Sequence, residues 1–147
     1  MTTRTTGVIR VAVVDDQPLL VSAFSALVAA QPDMEVVLEA VNGRQAINGL
    51  TTRASGSRGE ADLVLMDLRM PVMDGLTATQ EIRLHEATMG LDRTPIVMLT
   101  ANAMPEHVAA GRAAGADHHL AKPFNAAELL SLVESPQALL AQHRIAA

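Results

Sequence analysis

Asp15, Asp16, Asp67, Thr100 and Lys122 are the side chains in this sequence whose types and places could do chemistry together. Each stands where an expected strand stops: residues 8–14, 63–66, 95–99 and 117–121. Three carboxylates brought together repel one another and raise a pKa. A hard divalent cation with oxygen ligands relieves that repulsion. Mg²⁺, content with a few carboxylates, a backbone carbonyl and water, is the natural choice, and Mn²⁺ accepts the same donor type. With a cation in place, one carboxylate is left as a nucleophile toward phosphorus. The Thr100 hydroxyl and the Lys122 ammonium can then take the remaining phosphoryl oxygens and stabilise charge on a transferring group. The bland alternative for Asp67, taken alone, is a loop acid that caps the next helix.

These side chains converge only if the elements carrying them are arranged suitably. Residues 8–14 form a β-branched run that reads as a buried strand. Pro18 suits the first turn of a helix, and Leu19, Leu20, Phe24, Leu27 and Val28 recur at helical spacing to about residue 30. A second strand is expected over 34–40 and a second helix over 44–53, weakened by Gly49. The run 63–66 reads as a strand buried on both faces, solvated at its end by the turn signals Met70-Pro71 and Asp74-Gly75. A third helix over 76–89 shows its two faces through Leu76, Thr79, Ile82, Arg83 and Glu86. A strand over 95–99 and an Ala-rich helix over 104–114, closed by Gly115, follow. The last strand spans 117–121, and Asn125 can cap a helix over 126–134. Five repeats of strand then helix argue for a parallel α/β sheet covered on both faces. In such sheets ligands bind at the carboxyl ends of the strands, where all five side chains stand.

Composition narrows the function classes. A length of 147 residues fits one domain, and the two aromatics, Phe24 and Phe124, give no stacking platform for single-stranded nucleic acid. A net charge of −5 disfavours direct binding to DNA. The absence of cysteine excludes disulfides and thiolate chemistry. No apolar run approaches a membrane span, and the polar segment 1–7 precedes no signal-like core. A cytoplasmic protein without membrane contact is the expectation. Lys122 is the only lysine; the other ten basic residues are arginine.

The motifs VVDDQP (13–18), LVLMDLRMPVMDG (63–75), IVMLTANA (96–103) and HLAKPF (119–124) resemble the receiver domains of bacterial two-component response regulators, from about residue 10 to 134. The resemblance implies a flavodoxin-like (βα)5 fold with strand order 2-1-3-4-5. It implies a receiver domain over 8–134 between a flexible N-terminus, 1–7, and a short C-terminal extension, 135–147, too short for an output domain. It implies Asp67 as phosphoacceptor. Asp16, Asp67, the backbone carbonyl of Arg69, and Asp15 directly or through water would hold Mg²⁺. Thr100 would be the switch hydroxyl and Lys122 the phosphate-contacting lysine, in a cis Lys122-Pro123 bond. His119 stands where many relatives carry a switch aromatic; the alternative is a partly exposed strand histidine. His118 should point to the opposite face. His85, His107 and His143 are expected at the surface. Ala101 is small, as beside a pocket that admits a donor. Arg69 and Asn102 are expected to tune the lifetime of the phosphorylated form. The segments about 51–61 and 87–94 are longer than in compact relatives, and the loop 54–60 reads as a tolerated insertion.

The function implied is a signal receiver. It takes a phosphoryl group from a histidine kinase or histidine phosphotransfer protein and catalyses its own phosphorylation and dephosphorylation without being a turnover enzyme. The output would be a protein partner bound on the face of helix 4, strand 5 and helix 5, or a homodimer formed on phosphorylation. The chain could equally be the receiver of a hybrid histidine kinase. A phosphatase with an Asp nucleophile would want a second acid two residues after Asp67, where Arg69 stands. A flavin site would lack its phosphate-cradling loop, since Asp15-Asp16 occupy that place.

Overall fold

Each stretch expected to be a strand pairs into one parallel sheet. The computed structural model describes residues 8–51, 61–68, 73–90, 93–100, 105–122, 125–134 and 136. Strands β1 (Ile9–Val14), β2 (Met34–Ala40), β3 (Leu63–Asp67), β4 (Ile96–Thr100) and β5 (His118–Ala121) alternate with helices α1 (Pro18–Ala29), α2 (Gly43–Thr51), α3 (Gly75–Met89), α4 (Pro105–Ala114) and α5 (Ala126–Val133). The strands pair in parallel in the order β2-β1-β3-β4-β5. This is the flavodoxin-like (βα)5 architecture expected.

Side-chain alternation along each strand divides the core in two. Val11, Val13, Leu63, Leu65, Val97 and Leu99 pack with Phe24 and Val28 of α1 and Leu129 and Val133 of α5. Ala12, Val14, Val64, Met66, Ile96 and Met98 pack on the other side with Ala46 and Ile47 of α2 and Ala78 and Ile82 of α3. Gly49 is no simple weakness in α2, because a Cβ there would run into the Leu38 side chain of β2. Among the described residues, no helix is long and apolar enough to cross a membrane.

Several element boundaries shift by a residue or two from expectation, and two of the shifts bear on the site. Asp67 and Thr100 are the last residues of β3 and β4, pairing with Leu99 and Ala121 respectively. Asp74 is no mere turn residue: its side chain accepts from the Thr77 amide at 2.8 Å and caps α3. Asn125 caps α5 as expected, and Glu128 completes a capping box.

The edge of the sheet opposite the strand ends is held by charge. Arg83 and Glu86 turn inward from α3 instead of marking a solvent face. Arg83 donates to Glu86 Oε1 (2.8 Å), Asp117 Oδ2 (2.7 Å), and the carbonyls of Thr94 and Gly115. Arg93 donates to Asp117 Oδ1 at 2.8 Å, and the Ile96 amide donates to Asp117 Oδ2 at 2.9 Å. The Asp117 side chain is 0 % exposed and joins α3, the entry to β4 and the entry to β5. Removing one partner of a buried ion pair strands the others. Asp117→Ala is therefore expected to lower stability by about 3 kcal/mol, seen as a lower urea midpoint. An unchanged midpoint would show that water replaces the carboxylate at no cost.

Candidate functional site

The site lies at the carboxyl edge of the sheet because three strands deliver their polar ends there in register. Val14 pairs with Met66, so Asp15 and Asp67, each one residue later, emerge side by side. Asp15 is anchored hardest. Its amide donates to the Ala40 carbonyl at 3.0 Å, and its Oδ1 accepts from the Gln17 amide at 3.0 Å. Lys122 leaves the end of β5, with its amide donating to the Thr100 carbonyl at 2.7 Å. Its Nζ donates to Asp15 Oδ2 at 3.1 Å and to Asp67 Oδ1 at 3.2 Å. The chain's only lysine therefore lies between the two innermost carboxylates.

Asp67 is held from behind. The Gly75 amide donates to the Leu68 carbonyl at 2.9 Å, which draws the start of α3 against the end of β3. A Cβ on Gly75 would overlap the Asp67 carbonyl oxygen, with the Met98 sulfur also close. Only glycine allows that approach.

The electrostatics differ from expectation in one respect. A carboxylate leaving the sheet should be well solvated, but Asp67 is 7 % exposed. Burial and, next, the neighbouring Asp15 carboxylate push its pKa up to about 6, against the pull of Lys122. For Lys122, burial favours the neutral amine, but Asp67 and Asp15 outweigh it and hold the ammonium's pKa above its ordinary value. One ammonium facing three carboxylates leaves a surplus of negative charge.

That surplus suits a cation. Asp15, Asp16 and Asp67 each offer a carboxylate oxygen within 4.8 Å of the others, and among the described residues they are the one such group of metal-ligating side chains. All three donors are hard oxygens, which suits Mg²⁺ and not a thiolate- or imidazole-preferring metal. The residues fit the ion.

Thr100 is 2 % exposed at the end of β4. By alternation it shares its face with Met98 and His119, whereas Leu99 and His118 share the other. His118 and His119 thus face opposite ways, as expected. Burial first and the Arg112 charge second lower the pKa of both. His85 and His107 are partly buried, not fully exposed. His143, Arg69, Ala101, Asn102, Pro123 and the loop 54–60 lie outside the described residues.

Sequence reasoning assembled Asp15, Asp16, Asp67 and Lys122 correctly but missed two glycines. Gly75 had a local signal, because it follows a helix-capping acid directly after the Asp67 turn. Gly111 of α4, against which the His119 ring lies, had none.

A model of the response regulator receiver domain matches residues 11–134. The chain is 39 % identical over 121 residues to the two-component response regulator ORR41 of Oryza sativa subsp. japonica, covering 82 % of this chain and 88 % of that one. It is 48 % identical over 84 residues to hybrid signal transduction histidine kinase G of Dictyostelium discoideum, covering 57 % of this chain. The match spans only 2 % of that kinase. Among solved structures, it superposes with a TM-score of 0.73 and 32 % identity on the receiver domain of sensor histidine kinase PA1611 from Pseudomonas aeruginosa PAO1. That match covers 89 % of this chain and 98 % of the other, whose structure has a magnesium ion coordinated in the active site cleft.

Proposed function

This chain belongs to the response regulator receiver family, whose members accept a phosphoryl group in two-component signalling, and on that premise we propose that Asp67 is its phosphoacceptor. The observation that carries the reading is the buried carboxylate at the end of β3. It stands on the central strand, meets Lys122 at 3.2 Å, and lies within 4.8 Å of the Asp15 and Asp16 carboxylates. The proposed domain runs over 8–134.

Asp16, Asp67 and the Arg69 carbonyl would hold Mg²⁺, with Asp15 binding directly or through water; Mn²⁺ would be accepted by the same oxygens. When bound, the ion offsets the charge of the carboxylates and of the phosphoryl oxygens. An Asp67 carboxylate oxygen attacks phosphorus, and the bond from phosphorus to the donor's imidazole nitrogen breaks. The imidazole leaves with the electron pair. Lys122, 3.2 Å from the accepting carboxylate, is placed to follow the phosphoryl oxygens. Asp15, fixed by the Gln17 amide, keeps Lys122 from swinging away. Thr100 then turns its hydroxyl to a phosphoryl oxygen, and His119, on the same strand face, responds. Water attack at phosphorus later returns the carboxylate and releases inorganic phosphate. The donor is a histidine kinase or histidine phosphotransfer protein. A downstream partner, or a second copy of the chain, reads the face of α4, β5 and α5.

Incubation with Mg²⁺ and acetyl phosphate tests the reading by intact mass. Wild type is expected to gain one phosphoryl group. Lys122→Ala should gain it about 100-fold more slowly, the scale of losing one charge-stabilising donor. No gain on wild type, with a phosphohistidine donor also failing, would defeat the proposal.

A further inference from the structure

The His119 ring is seated in a way that only its neutral form satisfies. It pairs in register with Met98 and projects to the α4 side of the sheet. There α4 carries Gly111, which is buried, and a Cβ at that position would land on the ring at Nε2. Gly111 thus makes a slot in α4 that the imidazole fills. Inside it, Nε2 is buried and has no hydrogen-bond partner.

A neutral imidazole can leave one nitrogen as a bare lone pair and carry its proton on the other. An imidazolium has a proton on both. Its Nε2–H would be buried with no acceptor, which is costly. The charged surroundings reinforce this. From α4 comes Arg112, directly after Gly111, and His107 lies one turn before it. The one acid of α4, Glu106, is exposed in the first turn. From β5 comes His118, on the opposite face, and β4 offers the uncharged Met98. Burial first, then Arg112, then His118 lower the ring's pKa.

We propose that His119 is a proton-operated latch between β5 and α4: neutral, it sits in the Gly111 slot and ties the two elements together; protonated, it leaves the slot and releases α4. This goes beyond the phosphoryl reading, because it operates on the unphosphorylated, metal-free chain. The sign is fixed by the ring's lowered pKa. The seated state is fully favoured above the ordinary imidazole value and is lost as pH falls toward the seated ring's own pKa. Acidification would then rearrange the same face that a phosphoryl group is proposed to switch.

The test is an NMR titration of the full chain in EDTA, in an Asp67→Asn background so that this carboxylate does not titrate in the same range. Histidine ring resonances and the backbone amides of 105–114 are followed from neutral to mildly acidic pH. His119 is expected to titrate below the ordinary imidazole value, and the α4 amides are expected to move with its midpoint. His119→Phe keeps a ring but has no proton to gain, so the α4 transition should vanish. Gly111→Ala should unseat the ring at every pH, returning His119 to the ordinary value and giving α4 its acidic shifts at neutral pH. An ordinary His119 midpoint in the otherwise native slot would overturn the latch. So would α4 amides that ignore His119, or an α4 transition that survives His119→Phe. The phenylalanine variant decides the matter even if Gly111→Ala fails to fold.

Discussion

In EDTA near neutral pH, Asp67→Asn is expected to be more stable than wild type by about 2 kcal/mol in urea denaturation. The raised pKa of Asp67, about 6, means that its ionisation is opposed by burial and by Asp15 in the folded chain. A rise of about two pH units, with the pull of Lys122 already counted in it, corresponds to about 3 kcal/mol, and burying the asparagine amide takes part of that back. The sign follows from linkage. Between the ordinary carboxylate pKa and about 6, the folded chain holds a proton that the unfolded chain has lost. Wild type therefore loses stability as pH rises through that window, and the full penalty applies above it. The gap between variant and wild type should close below about pH 4, where the carboxyl is protonated in both states. A variant less stable than wild type at neutral pH would show that the Lys122 contact outweighs the repulsion.

Adding Mg²⁺ should reverse that order. A cation that binds only the folded state stabilises by about 2.7 kcal/mol at a hundredfold excess over its Kd. Wild type, which keeps all three of Asp15, Asp16 and Asp67 as ligands, is expected to gain this in full. Asp67→Asn, lacking one anionic ligand, should gain far less. Below the Asp67 pKa of about 6 the ion must displace a proton, so apparent affinity should weaken with falling pH, by about tenfold per unit for one proton. Thermal unfolding with titrated Mg²⁺ reads both effects. Equal gains in the two proteins would place the ion elsewhere.

These effects stem from features only partly legible in the sequence. Four of the five strands could be read because a short strand-like stretch ended by an acid, a hydroxyl or a lysine is a local pattern, and β2 because it lies between the turn signals Pro32-Asp33 and Asn42-Gly43. Period-two alternation also told His118 from His119. The depth at which Asp67 lies could not be read. It depends on α3 starting close against the end of β3, a contact that Gly75 permits. Nor could the pairing of Asp117 with Arg83 and Arg93, which are 34 and 24 residues away. Charged residues on a helical repeat look like a solvent face until the fold brings a counter-charge under them. Gly111 gave no local signal, because its reason is a ring on another element.

The most direct test of the account is where the phosphoryl group goes. After reaction with acetyl phosphate and Mg²⁺, hydride reduction converts an aspartyl phosphate to homoserine, and peptide mass spectrometry locates it. The account predicts homoserine at position 67 in wild type and no phosphoryl gain in Asp67→Asn. Label at Asp15 or Asp16, or undiminished phosphorylation of Asp67→Asn, would contradict it.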